Sequence, residues 1–436
     1  MREENKEAKN GGNKEDISNQ DSSKTPQKAK SLWSWFLPVI ILVVVAMECV
    51  FVAKEVGSTQ KKLNALKEST QSTSEDKITK DRLEETTKTT DKEKAKTLTL
   101  TFVGDIMCYG AQLEEAYDEN TDTYDFSRAF DNVKPYLENS DLTIGNLETV
   151  LGGKEIGYKG YPLFNTPISF AESLKEVGFD VFTTANNHAF DQGAIGVQET
   201  LDALDEIGIS AVGSYRTEED KNKILIKKVN GWKIAFVSFT YGQNAESSEA
   251  RQYFNYLTEE DIKSQMELAR EQEPDFIVAM PHWGEEFYTT VNDRQRYFAD
   301  LLIEEGADLI IGSHPHVLQT MKKKDVKDKE GKTKHVFIAY SMGNFFTNQS
   351  EEYSLDQVIL TLTVKKGKNG IIISNIENRA AYMAKPGEFD TIDHYQVLDI
   401  SSYKTRFKEE QEGTDEVLYH TLLESEQHVN TLLKGN

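Results

Sequence analysis

Asp180-Val-Phe-Thr-Thr-Ala-Asn-Asn-His-Ala-Phe-Asp-Gln-Gly193 is an apolar strand that runs straight into Asn187 and His188, then past Asp191 and a glycine into a helical pattern. In an open α/β sheet, ligands bind just beyond the carboxyl end of a strand. An amide oxygen beside an imidazole suits a borderline divalent metal and an anionic ligand. Alone, the stretch also fits a polar turn with a structural histidine. Its recurrence along the chain decides the fold. LTLTFVGD (98–105) ends in Gly104-Asp105. Asp141–Ile144 leads into Gly145-Asn146-Leu147-Glu148, and Asp275–Met280 into Pro281-His282. Asp308–Ile311 leads into Gly312-Ser313-His314-Pro315-His316, and His335–Tyr340 into Ser341-Met342-Gly343-Asn344. Helical spacing fills the intervals at 169–177, 194–207, 261–272 and 293–305. At VGFDVF, IGISAV and EGADLI a helix ends in glycine, which supplies the left-handed cap, and a strand follows at once. This is the rhythm of βα units in a mixed sheet with helices on its faces. Val358–Val364 and Ile371–Ile376 flank Lys-Gly-Lys-Asn-Gly as an antiparallel pair, forming a second sheet or an added edge.

Outside this region the chain changes character. Residues 1–31 are polar and charged, a composition that cannot bury a core, and are expected to be a disordered tail on the cytoplasmic side. Residues 32–53 (LWSWFLPVIILVVVAMECVFVA) are apolar. These 22 residues at ~1.5 Å each reach ~33 Å, enough for a bilayer core. Trp33 and Trp35 fit an interfacial belt. Lysines lie on both sides of the span, so charge counting does not orient it. A short tail before and a large domain after favour an extracellular C-terminal domain. Residues 54–97, rich in Thr, Ser, Lys and Glu, read as a stalk. The globular domain is expected over 98–400. Residues 401–436 form a tail with an amphipathic helix at Leu418, Leu422, Val429 and Leu432, expected to pack on the core.

The net charge of the 436 residues is −23. Residues 1–97 hold 18 Lys/Arg and 16 Asp/Glu; the other 32 and 57 give residues 98–436 a charge of −25. Such a field repels nucleic acid, which excludes that class of partner. It also repels any polyanion unless metal ions or local cations reverse its sign. The two cysteines, Cys49 in the apolar span and Cys108 after a strand, provide neither a disulfide framework nor a CxxC site.

Hard and borderline ligands therefore collect at strand ends: Asp105, Glu148, Asn187 with His188, His282, and His314 with His316. Of eight histidines, four sit at these points. Parallel strands bring their carboxyl ends to one edge, so residues distant in sequence converge. The donor types suit Mn, Zn or Fe(II). One carboxylate bridging two ions, flanked by His and Asn, is what a two-metal hydrolytic site needs.

GDIM (104–107), GNLE (145–148), ANNHAFDQG (185–193), HWGEE (282–286), GSHPHV (312–317) and YSMGNF (340–345) resemble the CapA family of capsule biosynthesis proteins, known in poly-γ-glutamate synthesis. That family in turn resembles calcineurin-like metallophosphoesterases, which implies a four-layer αββα sandwich and a dinuclear site. By resemblance, Asp105 and His316 bind the first metal and Glu148 bridges. Asn187, His282 and His314 bind the second. His188 is the catalytic proton donor or transition-state stabiliser. Asp191 either orients His188 or caps the following helix. Glu285, Arg294 and Asn344 are candidate substrate contacts, set against plain surface or turn roles. The first motif departs from the phosphoesterase pattern Asp-x-His: here it is Asp105-Ile106-Met107, and a Glu stands where the bridging Asp is usual. The resemblance implies a membrane-anchored protein that works with capsule synthase subunits on a poly-γ-glutamate-type polymer. The rival readings are a metal-dependent phosphoesterase and a non-catalytic scaffold.

Overall fold

Strands whose residues alternate between two apolar environments must be covered on both faces, and the chain meets this need by stacking two sheets. The computed structural model describes residues 97–433 except 246, 328–330, 332 and 369. The expected membrane span, and all of the expected stalk before Thr97, lie outside the described residues. Among the described residues no helix is long and apolar enough to cross a membrane.

The first sheet runs β16 (Gln396–Asp399), β15 (Gly370–Ala384), β14 (Asp356–Gly367), β1 (Thr97–Ile106), β4 (Leu142–Leu147), β5 (Val181–Thr183) and β6 (Ser210–Val212), with β13 (Asn344–Phe346) beside the end of β1. The second runs β11 (Met321–Lys327), β12 (Thr333–Ala339), β10 (Leu309–Ile311), β9 (Phe276–His282), β8 (Trp232–Thr240) and β7 (Leu225–Val229). A small hairpin, β2 (Tyr117–Asp118) and β3 (Thr123–Tyr124), stands apart. The pairs β1–β4, β4–β5 and β5–β6 are parallel, as are β8–β9, β9–β10 and β10–β12. The β14–β15 hairpin is antiparallel and extends the first sheet beyond β1, so it is an added edge rather than a second sheet.

Leu98, Leu100 and Phe102 of β1 and Leu360 and Leu362 of β14 share one core with Ile234 and Phe236 of β8 and Val278 of β9. The opposite face of the first sheet packs Phe182 and Ile359 against Phe170 and Leu174 of the helix Ile168–Glu176. The opposite face of the second packs Val237 and Ala279 against Ile262 and Met266 of Glu259–Glu271 and Phe298 and Leu302 of Asp293–Glu304. The layering is thus helix, sheet, sheet, helix. The region expected as a C-terminal tail forms the helices Ile400–Lys408 and Glu416–Leu433, within the same compact unit as the sheets. Leu418 and Leu422 pack against Tyr382 and Tyr403, and Val429 and Leu433 reach the core between the sheets.

Register then places the site. Asp105 lies beside Asn146 of β4 and beside Asn344 of β13, and Asn146 beside Thr183 of β5. In the second sheet, His282 ends β9 next to Ser313. Gly104 allows the close approach: a Cβ there would stand 2.0 Å from the carbonyl oxygen of Gly343. The backbone N–H of Asp105 donates to that same oxygen at 2.9 Å.

Candidate metal centre

A period of two puts Asn146 and Glu148 on one side of the chain at the end of β4, facing the loops that leave β9 and β10. Asp105, Glu148, Asn187, His282, His314 and His316 are all buried. Carboxylate and ring-nitrogen atoms of Glu148, His314 and His316 lie within 4.8 Å of one another, and so do those of Asp105, Glu148 and His282. His282 Nε2 lies 2.7 Å from Asn187 Oδ1 and 3.5 Å from Glu148 Oε1, while its Nδ1 is held by Ser313 Oγ at 2.8 Å. His316 Nε2 lies 3.8 Å from Glu148 Oε1, and its Nδ1 is 3.1 Å from both Asp105 Oδ2 and Asn344 Oδ1. His314 and His316 both have positive φ, +97° and +58°. Non-glycine residues held there store backbone strain of the kind found at functional sites.

Three buried atoms in this group have no hydrogen-bond partner: Asn187 Nδ2, which is an amide donor, and Glu148 Oε1 and His314 Nδ1. A buried carboxylate oxygen or imidazole nitrogen left unpaired is costly, and both are first-rate donors to a divalent cation. The residues therefore fit a metal ion. Held among them, such an ion would polarise a bound oxygen and lower the pKa of bound water.

The charges are arranged accordingly. Burial pushes Glu148 up, but the charges of His282 and His316 outweigh it and hold the carboxyl at about 2. Burial pushes His316 down, and the charge of Glu148 with the hydrogen bond to Asp105 overcomes this, raising it to about 9. Burial, with repulsion from His282 and His316, drives His314 well below the ordinary imidazole value. Burial and the charge of Glu148 raise Asp105.

His188 stands at the edge of this group. Its Nδ1 lies 2.7 Å from Asp191 Oδ2, which also accepts the backbone N–H of Phe164 at 2.8 Å. With the carboxylate as acceptor, Nδ1 carries the proton and Nε2 accepts from Asn244 Nδ2 at 3.2 Å. Phe164 packs edge-on against the imidazole at 4.7 Å between ring centres. Asp191 thus orients His188; the residue before the helix Gly193–Ile207 is Gln192, so the alternative of a helix cap falls away. Such a histidine can hold or deliver a proton at Nε2.

The three expected substrate contacts separate. Glu285 and Arg294 are exposed and line a cavity of about 490 Å³ that also touches Tyr241, Trp283, Glu286 and His314. Trp283 is a wall of this cavity, its Nε1 donating to the Tyr340 carbonyl at 2.8 Å. Asn344 is a correction. It is wholly buried, and its Nδ2 donates to the carbonyls of His316 (3.1 Å) and Ser354 (2.9 Å) and to Gln349 (2.8 Å), so it steadies His316 and has no free group for a substrate. Sequence reasoning passed over Asn146, Asn186, Ser313 and Asn244. Only Asn146 carried a signal, standing two residues before Glu148 in a strand and hence on the same face.

The pattern shared with known proteins coincides with this region. Residues 99–349 match the model of the family described as bacterial capsule synthesis protein PGA_cap. The chain belongs to that family. It is 32% identical over 286 residues to the capsule biosynthesis protein CapA of Bacillus anthracis, covering 63% of this chain and 66% of that protein. It is 31% identical over 278 residues to the PGA biosynthesis protein CapA of Bacillus subtilis (strain 168), covering 63% and 69%. This chain therefore spans about two thirds of the length of these relatives. Among solved structures it is similar to the NAD nucleotidase NadN of Haemophilus influenzae, with TM-score 0.41 and 16% identity over 77% of this chain and 68% of that one. It is also similar to the calcineurin-like phosphoesterase YfkN of Bacillus subtilis, with TM-score 0.39 and 14% identity over 77% and 98%.

Proposed function

We propose that this is a membrane-anchored protein with its folded domain outside the cell, acting in the synthesis or export of a poly-γ-glutamate-type capsule polymer beside synthase subunits. Its divalent-metal centre takes part in hydrolytic chemistry. The observation that carries the chemical half is the convergence of Glu148, Asn187, His282, His314 and His316, with His188 beside them, inside the segment that defines the family. The relatives' names, capsule and PGA biosynthesis, support the polymer. The apolar stretch 32–53 supports the anchor. In this reading those five residues hold the metal, His188 moves the proton, Asp191 orients it, and Glu285 and Arg294 meet the substrate.

A second reading, a phosphoesterase acting on a small or lipid-linked phosphate ester, draws support from the same His188–Asp191 pair, which a scaffold would not need. The test measures metal content together with hydrolysis of a γ-glutamyl polymer and of phosphate esters, on the full chain and on His188→Ala. Polymer cleavage lost in the variant while metal content stays intact is the expected result. Ester turnover alone moves the assignment to the second reading. No turnover of either class, with unchanged capsule yield in cells carrying His188→Ala, refutes catalysis and leaves the scaffold. Protease accessibility of the domain in intact cells tests its location: a protected domain refutes the outward placement.

A further inference from the structure

We infer that the centre holds one metal ion rather than two, and that the place of the second is taken by the side-chain amide of Asn146. This rests on the metal-centre reading above. A second ion ~3.5–4 Å from the first needs its own donors around a shared carboxylate. By the resemblance to the phosphoesterase pattern, the groups that would supply them beside His316 are Asp105, the far oxygen of Glu148 and the residue at 107.

Each is already engaged. Asp105 Oδ1 accepts from Asn146 Nδ2 at 2.8 Å. Asp105 Oδ2 accepts from the His314 backbone N–H and faces His316 Nδ1, both at 3.1 Å. Glu148 Oε2 accepts from the same Asn146 Nδ2 at 3.1 Å. Position 107 is a buried methionine with the Tyr109 hydroxyl 3.9 Å from its sulfur. A thioether is a soft ligand, ill matched to an ion held by carboxylates and imidazoles.

The Asn146 amide is fixed in this sense by its other end. Its Oδ1 accepts from Thr183 Oγ1 at 2.7 Å and from Asn186 Nδ2 at 3.2 Å, and Asn186 Nδ2 also donates to the Leu147 carbonyl at 2.8 Å. Turning the amide over would set its carbonyl against two carboxylates. As it stands, its two N–H bonds satisfy Asp105 and Glu148 where a bridging cation would otherwise sit. The proximity of Asp105, Glu148 and His282 is thus filled by an amide nitrogen, which lies 3.4 Å from His282 Nδ1.

The remaining donors describe one coordination shell, in which the single contact to be opened by an ion is that of His282 Nε2 with Asn187 Oδ1. Asp105 and the side-chain oxygen of Asn344 both accept at His316 Nδ1, which leaves Nε2 for the metal. Ser313 does the same for His282. Donors ~2.1 Å from one ion lie about 3.0–3.4 Å apart. The separations here are 2.7 Å for Asn187 to His282, and 3.5 and 3.8 Å for His282 and His316 to Glu148. Of the atoms able to donate a lone pair to the ion, Glu148 Oε1 and His314 Nδ1 have no hydrogen-bond partner. Asp105 thereby orients His316 instead of binding metal.

The test loads the metal-free full chain with Mn(II), then measures bound metal by elemental analysis and the EPR spectrum at saturation. One ion per chain with an uncoupled Mn(II) spectrum is expected. The double variant Met107→His, Asn146→Asp, which replaces the amide with a carboxylate and the thioether with an imidazole, is expected to double the bound metal and give a spin-coupled spectrum. Two ions in the wild type, or a coupled spectrum there, overturn the one-ion centre while leaving the metal reading intact. No bound ion in the wild type overturns both. The wild-type measurement decides the matter even if the double variant does not fold.

Discussion

Replacing Asn344 with alanine separates its supporting role from the substrate contact expected of it. The side chain is fully buried and donates to the His316 and Ser354 carbonyls, both of which belong to buried residues. Its third partner, Gln349, is partly exposed and returns to water. Each buried carbonyl that loses its donor costs about 1–3 kcal/mol, and the vacated amide volume adds to this. His316 keeps Asp105 as a partner, so that side of the ring is not orphaned. The total is about 4 kcal/mol. For a domain of this size about 2 °C accompanies each kcal/mol, so the metal-free variant should melt about 8 °C lower. Losing a group that orients a ligand should also weaken Mn(II) binding by about 10- to 100-fold. Thermal unfolding by circular dichroism and calorimetric titration with Mn(II) measure the two effects separately. A variant that melts with the wild type, binds metal normally and fails only in substrate affinity would refute the reasoning and restore the substrate contact.

Other changes test the frame around the site. Gly104→Ala drives a Cβ into the Gly343 carbonyl at 2.0 Å, with backbone on both sides and no side chain to yield. A loss of about 3 kcal/mol or more is expected in urea midpoints, and a wild-type midpoint would contradict the close approach. Leu422→Ala, in the helix Glu416–Leu433, should cost about 2–5 kcal/mol if that helix is integral to the core; a change under about 0.5 kcal/mol would make it an appendage. Asp308 gives a pH signature. Burial raises its carboxyl against the opposing pull of Lys334, 3.0 Å away, and of the Ile277 N–H. A carboxyl raised in the fold contributes stability that is complete below its unfolded value, about 3.9, and is lost as pH climbs through the folded one. Asp308→Asn keeps an acceptor for Ile277 and should therefore gain on the wild type from acid towards neutral pH. Urea midpoints whose difference stays flat or runs the other way would exclude this.

The sequence announced the strands that are buried on both faces, because a continuous apolar run that stops at Gly, Asp, Asn or His is too short for a buried helix and too apolar for a loop. It concealed both edges of the second sheet. β11 reads Met-Lys-Lys-Lys-Asp-Val-Lys and exposes most of its residues. Lysines on an edge strand discourage pairing with other chains, and they also erase the apolar alternation by which a strand is recognised. β7, Leu-Ile-Lys-Lys-Val, is hidden for the same reason. The candidate ligands were legible because His, Asp and Glu at successive strand ends are conspicuous. Asn146 and Ser313 were not, since a small polar residue in a strand or turn has many uses, and only three-dimensional hydrogen bonding selects one. Asn344 shows the converse. A Gly-Asn after a strand suggested an open turn, but β13 pairs with β1 and buries the asparagine.

The charge of the domain and the make-up of its centre bear on each other. With Asp105 and Glu148 ionised and the imidazoles neutral, two divalent ions would give the site a net +2, enough to draw in an anionic chain against a domain carrying −25. One ion leaves the site near neutrality. The adjoining cavity adds Glu285 and Glu286 and, of the basic residues, only Arg294. A centre of that kind does not hold a length of polyanion by attraction. Under the proposed function it would act on a single group presented to it, oriented by His188, Arg294 and the cavity wall rather than by field. Delivery must then come from outside the domain. An anchor that fixes it beside a polymer-exporting assembly would provide delivery, which makes local concentration at the membrane, rather than intrinsic affinity, the quantity on which the proposed activity depends.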